Sequence, residues 1–199
     1  MKHEWRKHEK ELYAPKETPQ LLSVPRQKFF MIKGRGNPND EDFSDRIGVL
    51  YSLSYAVRMM PKSGFVPNGH FEYTVYPLEG IWEECDTSDK STFSYTIMMR
   101  QPDFVTEDVV KKAFEIASVK KPNPLLKEAY YDEIEEGLSV QVLHIGDYDD
   151  EPESFEKIIT YMKENKLQKR GKTHREIYLS DARKVERNKL KTILRYMVK

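Results

Sequence analysis

The chain has 199 residues, enough for one domain or two small halves sharing a core, and enough to fold without disulfides or metal. Thirty-three Lys and Arg balance thirty-three Asp and Glu, and this zero net charge argues against a nucleic-acid binder. A single cysteine, Cys85, excludes an internal disulfide and a multi-cysteine zinc site, and no apolar run reaches the roughly 18 residues of a membrane-spanning helix.

Residues 1–20 are highly charged and carry Pro15 and Pro19; they are expected to form a mobile lead-in or a short surface helix. Their opening stretch lacks the apolar run of a signal peptide, so the expected compartment is the reducing cytoplasm. Residues 21–199 are expected to form one domain, its first half about 21–102 and its second about 103–199.

The first half opens with the apolar run Phe29-Phe30-Met31-Ile32, a buried strand closed by Gly34-Arg35-Gly36. A helix is predicted over 42–60, with Phe43, Ile47, Leu50, Tyr51 and Ser54 on one face, stopped by Pro61 and Gly64. Strict alternation predicts a strand over 71–75, and a second over 92–99 that places Phe93, Tyr95, Ile97 and Met99 on one face. Between them lie Leu78 to Trp82 and the acidic loop Glu83 to Asp89.

A connecting helix near 106–118 follows, begun by Thr106 and its acidic neighbours and buried through Val110, Ala113, Phe114 and Ala117. The second half then repeats the order of the first. Residues 139–145 read as a strand, and 151–166 as an amphipathic helix with Phe155, Ile158, Ile159 and Met162 inward and Gly171 breaking it. Strands at 176–179 and 192–198 complete it. The fold class is therefore α+β: two β-α-β-β units with antiparallel sheets and helices on one face.

Familiar catalytic signatures are absent. Gly34-Arg35-Gly36 lacks the further glycine of a dinucleotide loop and the Gly-Lys of a phosphate loop. The histidines, His3, His8, His70, His144 and His174, include no His-Glu-x-x-His pair. No Gly-x-Ser-x-Gly elbow exists, and Cys85 lies among acids that disfavour a thiolate. The chain is instead rich in aromatics, with 12 Tyr, 9 Phe and 2 Trp. Tyr73, Trp82 and Tyr95 lie on or beside the strands of the first half; they either pack the core or line a cleft for a flat or cationic ligand. Glu176 begins an apolar strand and shares a face with Tyr178. A carboxylate among aromatics can bind a cation or act as general base on water. The competing reading is a surface glutamate paired with Arg175 or Lys172.

Four stretches carry a resemblance to a known family: Pro77-Leu78-Glu79-Gly80-Ile81-Trp82, Arg100-Gln101-Pro102-Asp103-Phe104-Val105, residues 143–152 and residues 174–181. They resemble signatures of the GyrI-like small-molecule-binding proteins, and in order they span most of the chain after residue 20. Ala182 and Met197 stand where such sequences often carry proline. The resemblance implies two β-α-β-β halves in pseudo-two-fold arrangement with a ligand cleft between them, and a stand-alone member of the family. It implies binding of lipophilic or aromatic small molecules, cations included, with Glu176 as the matching acid and Trp82 and Tyr95 as matching aromatics; the residue pattern adds Tyr73 as a ligand-binding candidate. A similar stand-alone subfamily hydrolyses cyclopropane-bearing DNA alkylators, which implies Glu176 as base and Tyr178 or Tyr95 as hydroxyl donor to a developing oxyanion. The alternatives are a non-catalytic sequestering or effector-binding protein and, third, a protein-interaction module. Neither metal nor organic cofactor is expected, nor a nucleic-acid or membrane partner; haem would need His70, His144 or His174 as axial ligand.

Overall fold

The computed structural model describes residues 2–83 and 89–199. Cys85 and most of the acidic loop from Glu83 to Asp89 lie outside the described residues. The fold is α+β, and the strand pairings of its ladders are antiparallel. The chain divides into two compact units. Residues 27–78, with the described parts of 1–5 and 85–134, form unit one; residues 6–26 and 135–199, with the described part of 79–84, form unit two.

Unit one holds β2 (Gln27–Arg35), α3 (Glu41–Met59), β4 (Ser94–Gln101), α4 (Glu107–Lys120) and β5 (Tyr130–Ile134), with β2 central between β4 and β5. The register sets Phe30 opposite Met99 on one side and Tyr131 on the other. Both helices follow the predicted periodicity, but α3 has its buried stripe rotated from the predicted face: Leu50 and Ser54 stay inward and Tyr51 does not. It buries Val49, Leu50, Leu53, Ser54, Ala56 and Val57, while Tyr51 is exposed. Its second half is apolar nearly all round, so periodicity alone does not select the buried stripe. The strand β5 was not expected: its sequence, YYDEI, is half polar, as suits an edge strand with one solvated face.

Residues 71–75 do not form the predicted strand. Only Tyr73 makes a bridge, parallel, to His3, with His3 N–H donating to Glu72 O and Thr74 N–H donating to His3 O. The alternation there serves an aromatic cluster, in which Phe71, Tyr73 and Phe104 meet edge to face.

Unit two contains α1 (Trp5–His8) beyond its first residue, α2 (Lys10–Tyr13), β1 (Gln20–Val24), β3 (Leu78–Glu83) from Glu79, β6 (Gly137–Ile145), α5 (Glu151–Glu164), β7 (Thr173–Tyr178) and β8 (Lys191–Met197). Its strand order is β1-β6-β8-β7-β3. The first residues are more than a charged surface lead-in, because Trp5 and Tyr13 are buried anchors. The helix α5 lies on β6 and β8, where Val140, Val142, Ile158, Met162, Leu194 and Val198 form the core. It ends at Glu164 with Lys166 in the left-handed region (φ 56°), well before Gly171.

The opposite face of unit two is ionic. Cross-strand register aligns Gln141, Arg195 and Arg175 in one row. Two adjacent arginines repel, and Glu136 answers both: its Oε2 lies 2.8 Å from a guanidinium nitrogen of each. Burial disfavours the Glu136 charge, but the two guanidinium groups outweigh it and hold its pKa below the ordinary value. Arg175 also faces Glu79 of β3 at 3.4 Å. The N-terminal segment covers this row, with Gln141 donating to Glu11 O at 2.7 Å and Arg195 to Leu12 O at 3.3 Å.

Candidate functional site

Alternation along β7 places Arg175 and Ile177 toward the ionic row and His174, Glu176 and Tyr178 on the face that carries α5. Glu176 is therefore not paired with its neighbour Arg175. It is buried, 8% exposed, and accepts two hydrogen bonds: Tyr178 Oη–H donates to Oε2 at 2.7 Å, and His174 Nε2–H donates to Oε1 at 2.8 Å. Tyr178 in turn accepts from Trp82 Nε1 at 2.9 Å. A continuous chain thus runs from the indole through the phenol to the carboxylate. Burial, and then the charge of Glu176, push the Tyr178 hydroxyl well above its ordinary pKa, which keeps it a neutral donor.

Local sequence makes this geometry possible. Gly80 stands two residues before Trp82 on β3, and a Cβ there would lie 2.7 Å from Trp82 Nε1 and 3.2 Å from Tyr178 Oη. Only glycine lets the indole and the phenol meet. Phe155 of α5 meets the His174 ring edge-on at 4.9 Å and fixes the other end.

Two further residues join the cluster that sequence reasoning did not single out. Tyr148 presents its ring edge-on to Tyr178 at 6.0 Å and is itself exposed; burial, then the charges of Glu151 and Glu176, push its hydroxyl up to about 12. Glu151, the first residue of α5, is buried. Burial first, and the charge of Glu176 next, raise the Glu151 pKa well above its ordinary value. The loop that carries both residues is clamped by His144. Its Nε2–H donates to Asp147 O at 2.9 Å, so its Nδ1 accepts from Ser154 Oγ at 2.9 Å. Nothing in the acidic run Asp147 to Glu151 marks Glu151 as the buried one; a helix periodicity carried one turn back from Ser154 and Phe155 is the only signal.

The other expected site residues lie in unit one. Tyr73 is 2% exposed within the Phe71–Phe104 cluster, and burial raises its hydroxyl pKa. Tyr95 is buried under Phe43, ring centroids 5.0 Å apart, and over Gly34, where a Cβ would fall 2.3 Å from its ring. Gly34 is thus a seat for an aromatic ring. Both tyrosines pack within unit one. Two open surface depressions, one along α5 near Pro19 and one along α4 near Pro124, are lined by other residues. Among the described residues no group of three or more His, Cys, Asp or Glu is arranged to hold a metal, and no helix is long and apolar enough to cross a membrane.

The profile of the GyrI-like small-molecule-binding domain matches residues 17–199. A hydrolase from Listeria innocua is 34% identical, with each chain covered over its full length and a TM-score of 0.94. An uncharacterized conserved protein from the same organism is 36% identical, again with full coverage of both chains, at a TM-score of 0.93. The C-terminal domain of EcmrR, 13% identical with 91% of this chain and 96% of that one covered, has the same fold at a TM-score of 0.53. No curated protein matches the chain. The matched profile spans the two β-α-β-β runs and the Trp82–Tyr178–Glu176 cluster together, and the chain belongs to the GyrI-like small-molecule-binding domain family.

Proposed function

We propose that the chain binds lipophilic or aromatic small molecules, monocations included, at the Trp82–Tyr178–Glu176 cluster, and hydrolyses strained electrophiles there. One observation carries this reading: a carboxylate in the interior, oriented by two donors and bordered by an indole and two phenols. Aromatic faces hold a flat ligand, and the carboxylate answers a positive charge or polarises a water. Tyr148 borders the cluster and is partly exposed, open to an incoming ligand. The reading makes the protein cytoplasmic, in keeping with its lone cysteine.

For a spirocyclopropyl dienone the chemistry balances without a cofactor. The oxygen of water bonds to a ring methylene while the strained carbon–carbon bond breaks. Its electron pair enters the conjugated carbonyl and yields a phenolate. Glu176 takes the proton from water and returns it to that oxygen. Once Glu176 has taken that proton, Tyr178 turns its hydroxyl from the carboxyl to the developing oxyanion. The hydrolase activity of the 34% identical Listeria innocua protein supports this reading.

The rival is a sequestering protein in which Glu176 is a counter-ion only. Turnover of a spirocyclopropyl dienone, followed by ultraviolet absorbance, separates the two. Under the proposal Glu176→Gln lowers turnover by about 10²–10⁴-fold while affinity for the uncharged dienone stays close to that of the unaltered protein. Binding without turnover in the unaltered protein leaves sequestration as the function. Unchanged turnover in the variant removes Glu176 from the mechanism.

A further inference from the structure

Tyr178 Oη and Glu176 Oε2 stand 2.7 Å apart, joined by one hydrogen bond, so a proton donor and a proton acceptor of the site are in direct contact. In a spirocyclopropyl dienone the oxygen that gains charge lies across the ring from the carbon under attack. In an epoxide that oxygen is bonded to the carbon itself. An acid and a base that touch each other match the second arrangement. We propose a further activity for this cluster: hydrolysis of lipophilic aryl epoxides to vicinal diols, with Glu176 as general base and Tyr178 as general acid.

The substrate ring lies against Tyr148, which is partly exposed and meets Tyr178 edge-on at 6.0 Å. Glu176 is buried but not sealed: 11% of its side chain stays exposed, so water reaches the carboxylate. Tyr178 turns its hydroxyl from Oε2 to the epoxide oxygen and frees Oε2 for that water. The oxygen of water bonds to the benzylic carbon from the side opposite the epoxide oxygen. The carbon–oxygen bond breaks, and its electron pair stays on the oxygen. Tyr178 gives its proton to that oxygen while Glu176 takes one from the water. Trp82 Nε1–H, 2.9 Å from Tyr178 Oη, stabilises the phenolate so formed, and His174 Nε2–H, 2.8 Å from Oε1, holds the carboxyl in place. The proton on Glu176 then returns to Tyr178 across the hydrogen bond that joined them at the start. Water has added across one carbon–oxygen bond, and both residues are restored.

This rests on Glu176 acting as a base, as proposed above, and it makes Tyr178 the residue that separates two substrate classes. Opening an epoxide leaves an alkoxide, a strong base that needs a proton as it forms. Opening the dienone leaves a conjugated phenolate, which needs only a hydrogen bond.

The test uses the full chain with trans-stilbene oxide, an uncharged diaryl epoxide, beside the dienone. Chromatography should show meso-hydrobenzoin, the diol of opposite-side attack. A single turnover with protein in excess, run in ¹⁸O-water, should place the label in that diol, because water attacks directly. Tyr178→Phe should lower epoxide turnover by about 10²–10⁴-fold and dienone turnover by a smaller factor. Absence of diol overturns the proposal; dienone turnover in the same preparation then leaves the hydrolase reading standing. Diol formation without dienone turnover upholds the epoxide activity and removes the dienone as a substrate. An unlabelled diol from the first turnover would make Glu176 a nucleophile, and that result, or equal losses on both substrates in Tyr178→Phe, overturns the acid–base assignment. If Tyr178→Phe does not fold, the label and the configuration of the diol decide the matter with the unaltered protein.

Discussion

Alanine at position 80 tests whether the indole and the phenol meet as closely as the structure places them. The added Cβ would lie 2.7 Å from Trp82 Nε1, closer than real Cβ atoms come to a neighbour, and 3.2 Å from Tyr178 Oη. Trp82 is buried, 8% exposed, and protein interiors are close-packed, so moving the indole requires repacking. Forcing a methyl into such a contact costs about 1–3 kcal/mol. Pulling Nε1–H away from Tyr178 leaves a buried donor unsatisfied, about 1–3 kcal/mol more. The sum is about 2–6 kcal/mol, and at about 2–4 °C per kcal/mol for a chain of this size Tm should fall by roughly 4–24 °C. Thermal melting followed by tryptophan emission reads this directly, because the only indoles are Trp5 and Trp82. Gly48, inside α3, is the control: a Cβ there meets nothing within 4 Å, so Gly48→Ala should raise stability by about 0.4–1 kcal/mol. An unchanged Tm in Gly80→Ala, or equal losses in both variants, would refute the close approach.

Glu136→Gln should be among the most damaging surface-silent changes, since it leaves Arg175 and Arg195 buried with half their counter-charge; the expected loss is about 3–5 kcal/mol, read by denaturant titration. Because the folded Glu136 pKa is lowered, its stabilisation is fully present above the ordinary carboxylate value and vanishes as pH falls through the lowered one; acid unfolding of the unaltered protein should therefore be steeper than that of the variant. Trp5→Ala should cost about 3–5 kcal/mol by loss of a buried indole and of its hydrogen bond to Val75 O; no change in Tm would return residues 1–20 to the status of a lead-in.

Much of this fold is legible in the sequence where period and punctuation agree. The helix α5 announces itself through Phe155, Ile158 and Met162, and α4 through Ala113 and Ala117, because each has one apolar stripe on a polar cylinder. The stripe of α3 is misread because Val49, Leu53, Ala56 and Val57, at i, i+4, i+7 and i+8, form a second apolar stripe beside the one through Leu50 and Ser54. The alternating Phe71-Glu72-Tyr73 fails as a strand predictor because a period of two also suits rings meeting around Phe104. At the site, the parity of β7 gives Glu176 and Tyr178 a shared face from sequence alone. Glu151 is hidden by its company: five consecutive residues, Asp147 to Glu151, include four acids, and hydropathy cannot say which one the loop turns inward. Only the clamp made by His144, itself set by register on β6, chooses it.

Parity along β7 also separates two kinds of change. Odd positions 175 and 177 hold the sheet together on one side, while even positions 174, 176 and 178 border the candidate site on the other. A selection experiment that randomises only the even positions can therefore explore new ligands without disturbing the arginine row. A single inserted or deleted residue in this strand does the reverse. It turns the arginine toward the aromatics and the glutamate toward Arg195, converting an attraction on each face into a mismatch on both. Diversity at this site must come from substitution, and changes in strand length belong in the loops that flank it.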